Sequence, residues 1–270
     1  MPANAAPLLE VREIRKHFGG VRAVDGVSLA LPSGEIRALI GPNGAGKTTL
    51  FNLLTGLLPA DGGSIRFRSE ELRDLPAHRI WRRGISRTFQ LAATFASLTA
   101  FENVQVALLS HAGRAFDFFT PARGLARDRT CDLLEQVGLG DQAAKVSALL
   151  PYGDLKRLEL AIALANDPAL LLLDEPTTGM APEERAQLLA LTERIVLARG
   201  LTVLFTEHDM DVVFGIADTI MVMHQGRILA QGKPADIRAD PQVQRVYLGM
   251  GGGEGPSRGK GGQAQADTGA

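Results

Sequence analysis

Eight consecutive residues, Gly41-Pro-Asn-Gly-Ala-Gly-Lys-Thr48, place three glycines, a lysine and a hydroxyl side chain in one loop. Triphosphate binding needs these types at this spacing. Glycines let the backbone curl until several N–H groups point inward at phosphate oxygens. Lys47 can reach the β- and γ-phosphates as a point charge, and the Thr48 hydroxyl suits Mg²⁺. A glycine turn that merely carries a lysine needs no particular neighbours. Here an apolar β-type run, Ile36–Ile40, leads in, and a helical pattern over 48–58 leads out. That helix would add its positive N-terminal end to the loop. Gly41, Pro42, Asn43, Gly44, Ala45, Gly46, Lys47, Thr48 and Thr49 are therefore candidate nucleotide ligands.

A second constellation lies far downstream. Leu170-Leu-Leu-Leu-Asp174-Glu175 reads as an apolar strand ending in two acids. Asp174 would hold Mg²⁺ through its water shell, and Glu175 would polarise an attacking water. Acids commonly end strands, so the pairing with the glycine loop carries the weight. His208 follows another apolar strand, Thr202–Thr206. A strand order that sets its end beside Glu175 would bring the imidazole to the γ-phosphate. Gln90 ends the segment Arg87-Thr-Phe-Gln90, at the entry to a helical region.

These groups need a scaffold of alternating strands and helices. Residues 8–40 alternate β-type runs with turns, and Asp61-Gly62-Gly63 makes a turn before a strand over 64–68. The β-type runs then stop. From about 91 to 158 the pattern is helical, including 101–110 and 127–137, with an aromatic and basic stretch at 114–123 that loops out. Alternation resumes with a helix at 159–166, a strand at 170–173, a helix at 182–198 and the strand at 202–206. A hairpin over 219–231 turns at Gln225-Gly226, and a last helix precedes Leu248. Residues 250–270 are Gly-rich and polar, too poor in apolar surface to fold. The reading is an α/β fold.

Bulk properties exclude several classes. The chain has 270 residues, 45 % hydrophobic and 22 % charged, enough for one large α/β domain. Its net charge of −1 offers no basic excess for nucleic acid. Cys131 is the single cysteine, so an intrachain disulfide is impossible, as suits a reducing compartment. No signal-like N-terminus and no apolar run of about 20 residues are found. Work at a membrane would require another subunit to hold the chain there.

Taken together, the loop, Gln90, the Leu170–Glu175 strand and His208 resemble the ATPase subunit of ABC transporters in order and spacing, over about residues 8–249. The resemblance implies a P-loop NTPase core of RecA type with an antiparallel β subdomain and a helical subdomain at about 91–158. It implies ATP and Mg²⁺ as ligands. Glu175, His208 and Gln90 would be catalytic, and Thr48, Gln90 and Asp174 would serve the metal. Phe18, in Lys16-His-Phe-Gly19, occupies the place of the aromatic that stacks on adenine. Gly153 is the surviving glycine of the family's signature segment, here Leu150-Pro-Tyr-Gly-Asp154. The family serine is replaced by Pro151, and the aspartate of a later loop by Ala181. Both changes imply weaker contacts across a two-subunit interface and slower turnover.

Within the family the chain looks like the branched-chain amino acid (LivG-type) importers. Arg87-Thr-Phe-Gln90, Leu98-Thr-Ala-Phe-Glu-Asn-Val104, the insertion near 111–127, Tyr152-Gly153 and a C-terminal extension at about 225–249 carry that likeness. Implied partners are membrane permease subunits, a second ATPase subunit, identical or similar, and indirectly an external solute-binding protein. The implied location is peripheral, on the cytoplasmic face of the membrane. The residues from Leu91 to Phe95 could form a groove for a permease helix. Urea, aromatic-acid, lipid and lipopolysaccharide transporters stay open, as do a non-transport ATPase and a regulatory ATP-binding module.

Overall fold

Strands and helices alternate along the chain, and the strands sort into two sheets. The computed structural model describes residues 6–88, 94–113 and 126–248. Its first half runs β1 (Leu9–Phe18), β2 (Val21–Leu31), β3 (Ile36–Ile40), α1 (Lys47–Leu54), β4 (Gly62–Phe67), β5 (Glu70–Glu71), α2 (Ala77–Arg82) and β6 (Ile85–Thr88). Three helices follow: α3 (Ala100–His111), α4 (Arg127–Gln136) and α5 (Tyr152–Ala163). The chain then re-enters the sheet with β7 (Leu170–Asp174), α6 (Pro182–Arg199), β8 (Thr202–Thr206), α7 (Met210–Ile216) and the hairpin β9 (Thr219–His224) and β10 (Arg227–Gly232). It closes with α8 (Pro234–Ala239) and α9 (Pro241–Leu248).

The smaller sheet is antiparallel, in the order β2-β1-β4-β5. The larger has the order β10-β9-β3-β8-β7-β6 and is parallel except for β10. Parallel strands buried on both faces are apolar throughout, and β3, β7 and β8 are buried at every position. Alternate residues face opposite sides. Leu170 and Leu172 join Leu39, Leu204 and Phe51 of α1 in a core shared with the antiparallel sheet. Leu171 and Leu173 join Ala38, Val203 and the helices α3 to α6 on the other side. Each fully buried leucine adds about 1.5–3 kcal/mol. Both cores therefore hold the same central strands, and the loops at the strand ends are set by a rigid frame.

Several local expectations differ from the structure. The first helix stops at Leu54 instead of running to 58, because Gly56 turns left-handed at φ 69° and ends it. The signature helix begins at Tyr152, seven residues before the expected start. Pro151 caps it with φ −55°, a value that suits entry to a helix. The single last helix is two, since Asp240 before Pro241 is extended and breaks the run. Strand β6 was not anticipated at all; it is short, and its Ser, Arg and Thr mask a strand signal. Gln90, residues 91–93, most of the 111–127 insertion and the 250–270 tail lie outside the described residues. Among the described residues no helix is long and apolar enough to cross a membrane.

Candidate functional site

Strand β3 delivers the chain directly into the glycine loop, and α1 takes it away. The loop is wedged against its neighbours. A Cβ on Gly41 would lie 2.1 Å from the Met223 carbonyl oxygen, and one on Gly46 would lie 2.2 Å from that of Ala23. Gly46 also sits at φ 105°, where side chains are strained. Only glycine lets the loop lie this close to β2 and β9. The turn of the β9–β10 hairpin seals the contact: the Gly226 N–H donates to Ala45 O at 2.9 Å, and Asp25 N–H donates to Gly226 O at 2.8 Å.

A cavity of about 530 Å³ opens over the loop. Its described lining includes Asn43 to Thr49, Glu175 and Phe18. The ring of Phe18 is exposed and has the Lys16 ammonium 5.7 Å from its centroid. Val21, Arg22, Ala23 and Gln225 complete the wall. Sequence reasoning did not single out these four; they reach the cavity only through the strand pairing of β2 and the β9–β10 turn.

Lys47 is only 7 % exposed, and its Nζ donates to Gly41 O at 2.6 Å and Pro42 O at 3.3 Å. Burial pushes its ammonium below the usual lysine range, while the nearby carboxylates of Glu175 and Asp174 push it back up. The Lys47 charge and the two acids therefore share one neighbourhood. An ammonium carries three donors, so one remains for a phosphate oxygen.

Pairing of β7 with β8 sets Asp174 opposite Thr206. The buried Thr206 hydroxyl donates to Asp174 Oδ1 at 2.9 Å and accepts the Glu175 N–H at 3.0 Å. One side chain thus orients both acids. Arg87 on β6 donates to Asp174 Oδ2 at 2.6 Å from the other side. Glu175 itself has φ 48°, an uncommon value for a non-glycine residue that turns its side chain out of the strand direction. Its Oε1 lies 2.7 Å from His208 Nε2, and the Thr178 hydroxyl donates to Oε2 at 3.2 Å. Glu207 is buried and accepts from the Thr177 N–H at 3.1 Å and hydroxyl at 2.6 Å, which pins the loop after Glu175 to the end of β8. Thr206, Glu207 and Arg87 were missed because their roles depend on neighbouring strands.

Gly153 stands apart from this cavity. It is buried in the first turn of α5, with a hypothetical Cβ 3.5 Å from the Glu184 carboxylate and 3.7 Å from Met180 Cε. The Tyr152 hydroxyl donates to Thr178 O at 3.1 Å, so the α5 start is tied to the loop that follows Glu175. Ala181 is the cap residue of α6 and makes no side-chain cap bond. Among the described residues no group of three His, Cys, Asp or Glu side chains could hold a metal ion. One carboxylate and one hydroxyl, Asp174 and Thr48, do fit Mg²⁺, which prefers oxygen and keeps several waters beside substrate phosphates.

The site thus offers a glycine-loop cradle with a cation, an exposed aromatic ring in the same cavity wall, and a Glu175 that is hydrogen-bonded to His208. That is equipment for binding a nucleoside triphosphate and activating water against it. A family model described as ABC transporter matches residues 24–178, and one described as branched-chain amino acid ATP-binding cassette transporter matches residues 227–249. The chain is 42 % identical to the high-affinity branched-chain amino acid transport ATP-binding protein BraF of Pseudomonas aeruginosa, over 90 % of this chain and 98 % of that one. It is 43 % identical to LivG of Escherichia coli (strain K12), which bears the same description, with the same coverage. A crystal structure of the ADP conformation of an ATP-binding cassette from an ABC transporter superposes with a TM-score of 0.80, at 28 % identity, over 91 % of this chain and 100 % of that one. The chain belongs to the ABC transporter ATP-binding family, alongside LivG and BraF, and is the ATP-hydrolysing subunit of such a transporter.

Proposed function

We propose that this ATPase drives uptake of branched-chain or other hydrophobic amino acids through membrane permease subunits. The match of residues 227–249 to the branched-chain model, joined to the LivG and BraF likeness along the chain, carries this reading. In it, Lys47 and the loop amides hold the phosphates, Phe18 stacks on the base, and Glu175, oriented by His208, takes a proton from the attacking water. Thr48 and Asp174, with Gln90, would hold Mg²⁺. Bound there, the ion would neutralise charge developing on the transferring phosphoryl group. Gly153 serves a second ATPase subunit, identical or similar, by completing that subunit's site.

A groove supports the permease contact. It has a volume of about 370 Å³ and lies where α2 and α3 meet, with Trp81, Phe95, Val106 and Ala107 in its wall. Phe95 is 58 % exposed. An apolar groove between helices suits an amphipathic helix from a partner, and it would hold the subunit on the cytoplasmic membrane face. Co-purification of the tagged chain with its permease subunits, followed by vesicle uptake assays, tests both points. ATP-dependent uptake of leucine, isoleucine or valine is expected. A complex that moves none of these but moves urea or an aromatic acid overturns the solute assignment.

A further inference from the structure

Arg87 does more than accompany the residues around it. Its side chain is only 5 % exposed. Nη2 donates to Asp174 Oδ2 and Nη1 to Asn52 Oδ1, both at 2.6 Å, and the guanidinium lies 5.5 Å from the Phe51 ring centroid. Asn52 and Phe51 belong to α1, the helix that leaves the glycine loop. One buried cation thus ties β6 to the carboxylate at the end of β7 and to the phosphate-binding helix.

The same side chain also walls a second space. A cavity of about 210 Å³ adjoins the α2–α3 groove, with Trp81, Ile85, Arg87, Thr88, Glu159 and Ile162 in its lining. Arg87 therefore bonds Asp174 and also lines the cavity that shares Trp81, Ala77 and Ile162 with the groove.

We propose that Arg87 is a positioning residue that couples the α2–α3 groove to the Asp174 carboxylate. The physical reason is competition. Asp174 already accepts from Thr206 and Arg87. A hydrated cation arriving with nucleotide draws on the same carboxylate. Arg87 cannot lose its proton, so it answers by shifting. Elsewhere close packing would resist that shift, but here the cavity offers room, and Trp81 bounds the cavity. By reciprocity, whatever fills the groove acts back on nucleotide affinity. The proposal rests on Asp174 standing beside the nucleotide's Mg²⁺, and not on the identity of the groove's occupant.

Trp81 is the only tryptophan in the chain, which supplies a reporter. Mg²⁺ and ADP are titrated into the full-length protein while Trp81 emission is followed, and a fluorescent nucleotide analogue measures affinity separately. The wild type is expected to change emission in step with binding. Arg87→Met should bind nucleotide within about tenfold of wild type yet lose at least four-fifths of the emission change. Arg87→Lys keeps a cation beside Asp174 and hence the fold, but an ammonium lacks the fork that spans Asp174 and Asn52. Its response should fall at least twofold, so it decides the matter if the methionine variant does not fold. A merely structural role would leave the response of a folded, nucleotide-bound variant intact. Full amplitude in either such variant, or flat emission from nucleotide-bound wild type, overturns the proposal. Wild type that binds no nucleotide overturns the site reading instead.

Discussion

Replacing Glu175 by Gln separates chemistry from structure in this site. The amide keeps an oxygen acceptor and gains a donor, so hydrogen bonding toward His208 Nε2 and the Thr178 hydroxyl survives. The His208 side chain is 49 % exposed and that of Glu175 15 %. A pair this open contributes at most about 1 kcal/mol to folding. In a chain of this size that is a shift of roughly 2–4 °C in Tm. A general base, by contrast, contributes about 10²- to 10⁴-fold in rate, or roughly 3–5 kcal/mol of barrier. The rate effect therefore exceeds any folding effect several-fold. Nucleotide affinity should not fall, because the substitution removes a negative charge from beside the phosphates. Phosphate release at saturating Mg²⁺ and ATP, nucleotide titration and thermal melting measure the three quantities. A rate within tenfold of wild type refutes Glu175 as the base, and an affinity loss above tenfold refutes its placement. If His208 acts through Glu175, the double variant with His208→Ala should be no slower than Glu175→Gln alone, since residues working as a unit are not additive.

Three further outcomes follow from the geometry. The Lys47 ammonium is held below its ordinary range by burial. The unfolded chain then binds more protons in the window between the folded pKa and 10.5, and stability rises with pH there. Lys47→Met should remove that rise and melt no lower than wild type at neutral pH. It should also lose the roughly 2.7 kcal/mol of stabilisation that ligand at 100 Kd confers; melting curves against pH, with and without ATP, check all three. Phe18→Ala should weaken nucleotide binding roughly 5- to 150-fold, the value of one base–aromatic stack, while leaving the unliganded Tm unchanged because the ring is 47 % exposed; a loss under twofold in a fluorescence titration refutes the stacking role. Thr206→Val deletes a hydrogen bond to a buried carboxylate, worth about 1.5–3 kcal/mol. A fall in Tm of roughly 3–12 °C by calorimetry is expected, with hydrolysis reduced more than affinity.

What could be read from the chain alone was whatever its neighbours in sequence decide. The glycine loop is contiguous, and its strand before and helix after are local patterns. Ile36–Ile40 and Thr202–Thr206 are strands with those bounds because unbroken apolar runs of that length fit strands buried on both faces. Asp174 and Glu175 could be named because they end such a run. Helix ends were less legible. Gly56 stops α1, and Pro151 starts α5 early, through single backbone angles that outweigh side-chain periodicity.

Tertiary structure alone decided which of these groups meet. His208 reaches Glu175 because β7 and β8 are adjacent, parallel and in register at Asp174 and Thr206, so the residues just past each strand emerge side by side. The same pairing turns Thr206, a plain strand residue in sequence, into the hinge pin of both acids. Arg87 lies 87 positions from Asp174 and contacts it only because β6 flanks β7. Gln225 and Arg22 wall the nucleotide cavity through the packing of β2 against the β9–β10 turn. Sequence determined the chemical groups and the local loops that bear them. Strand order, a property of long-range pairing that no local pattern encodes, decided their distances.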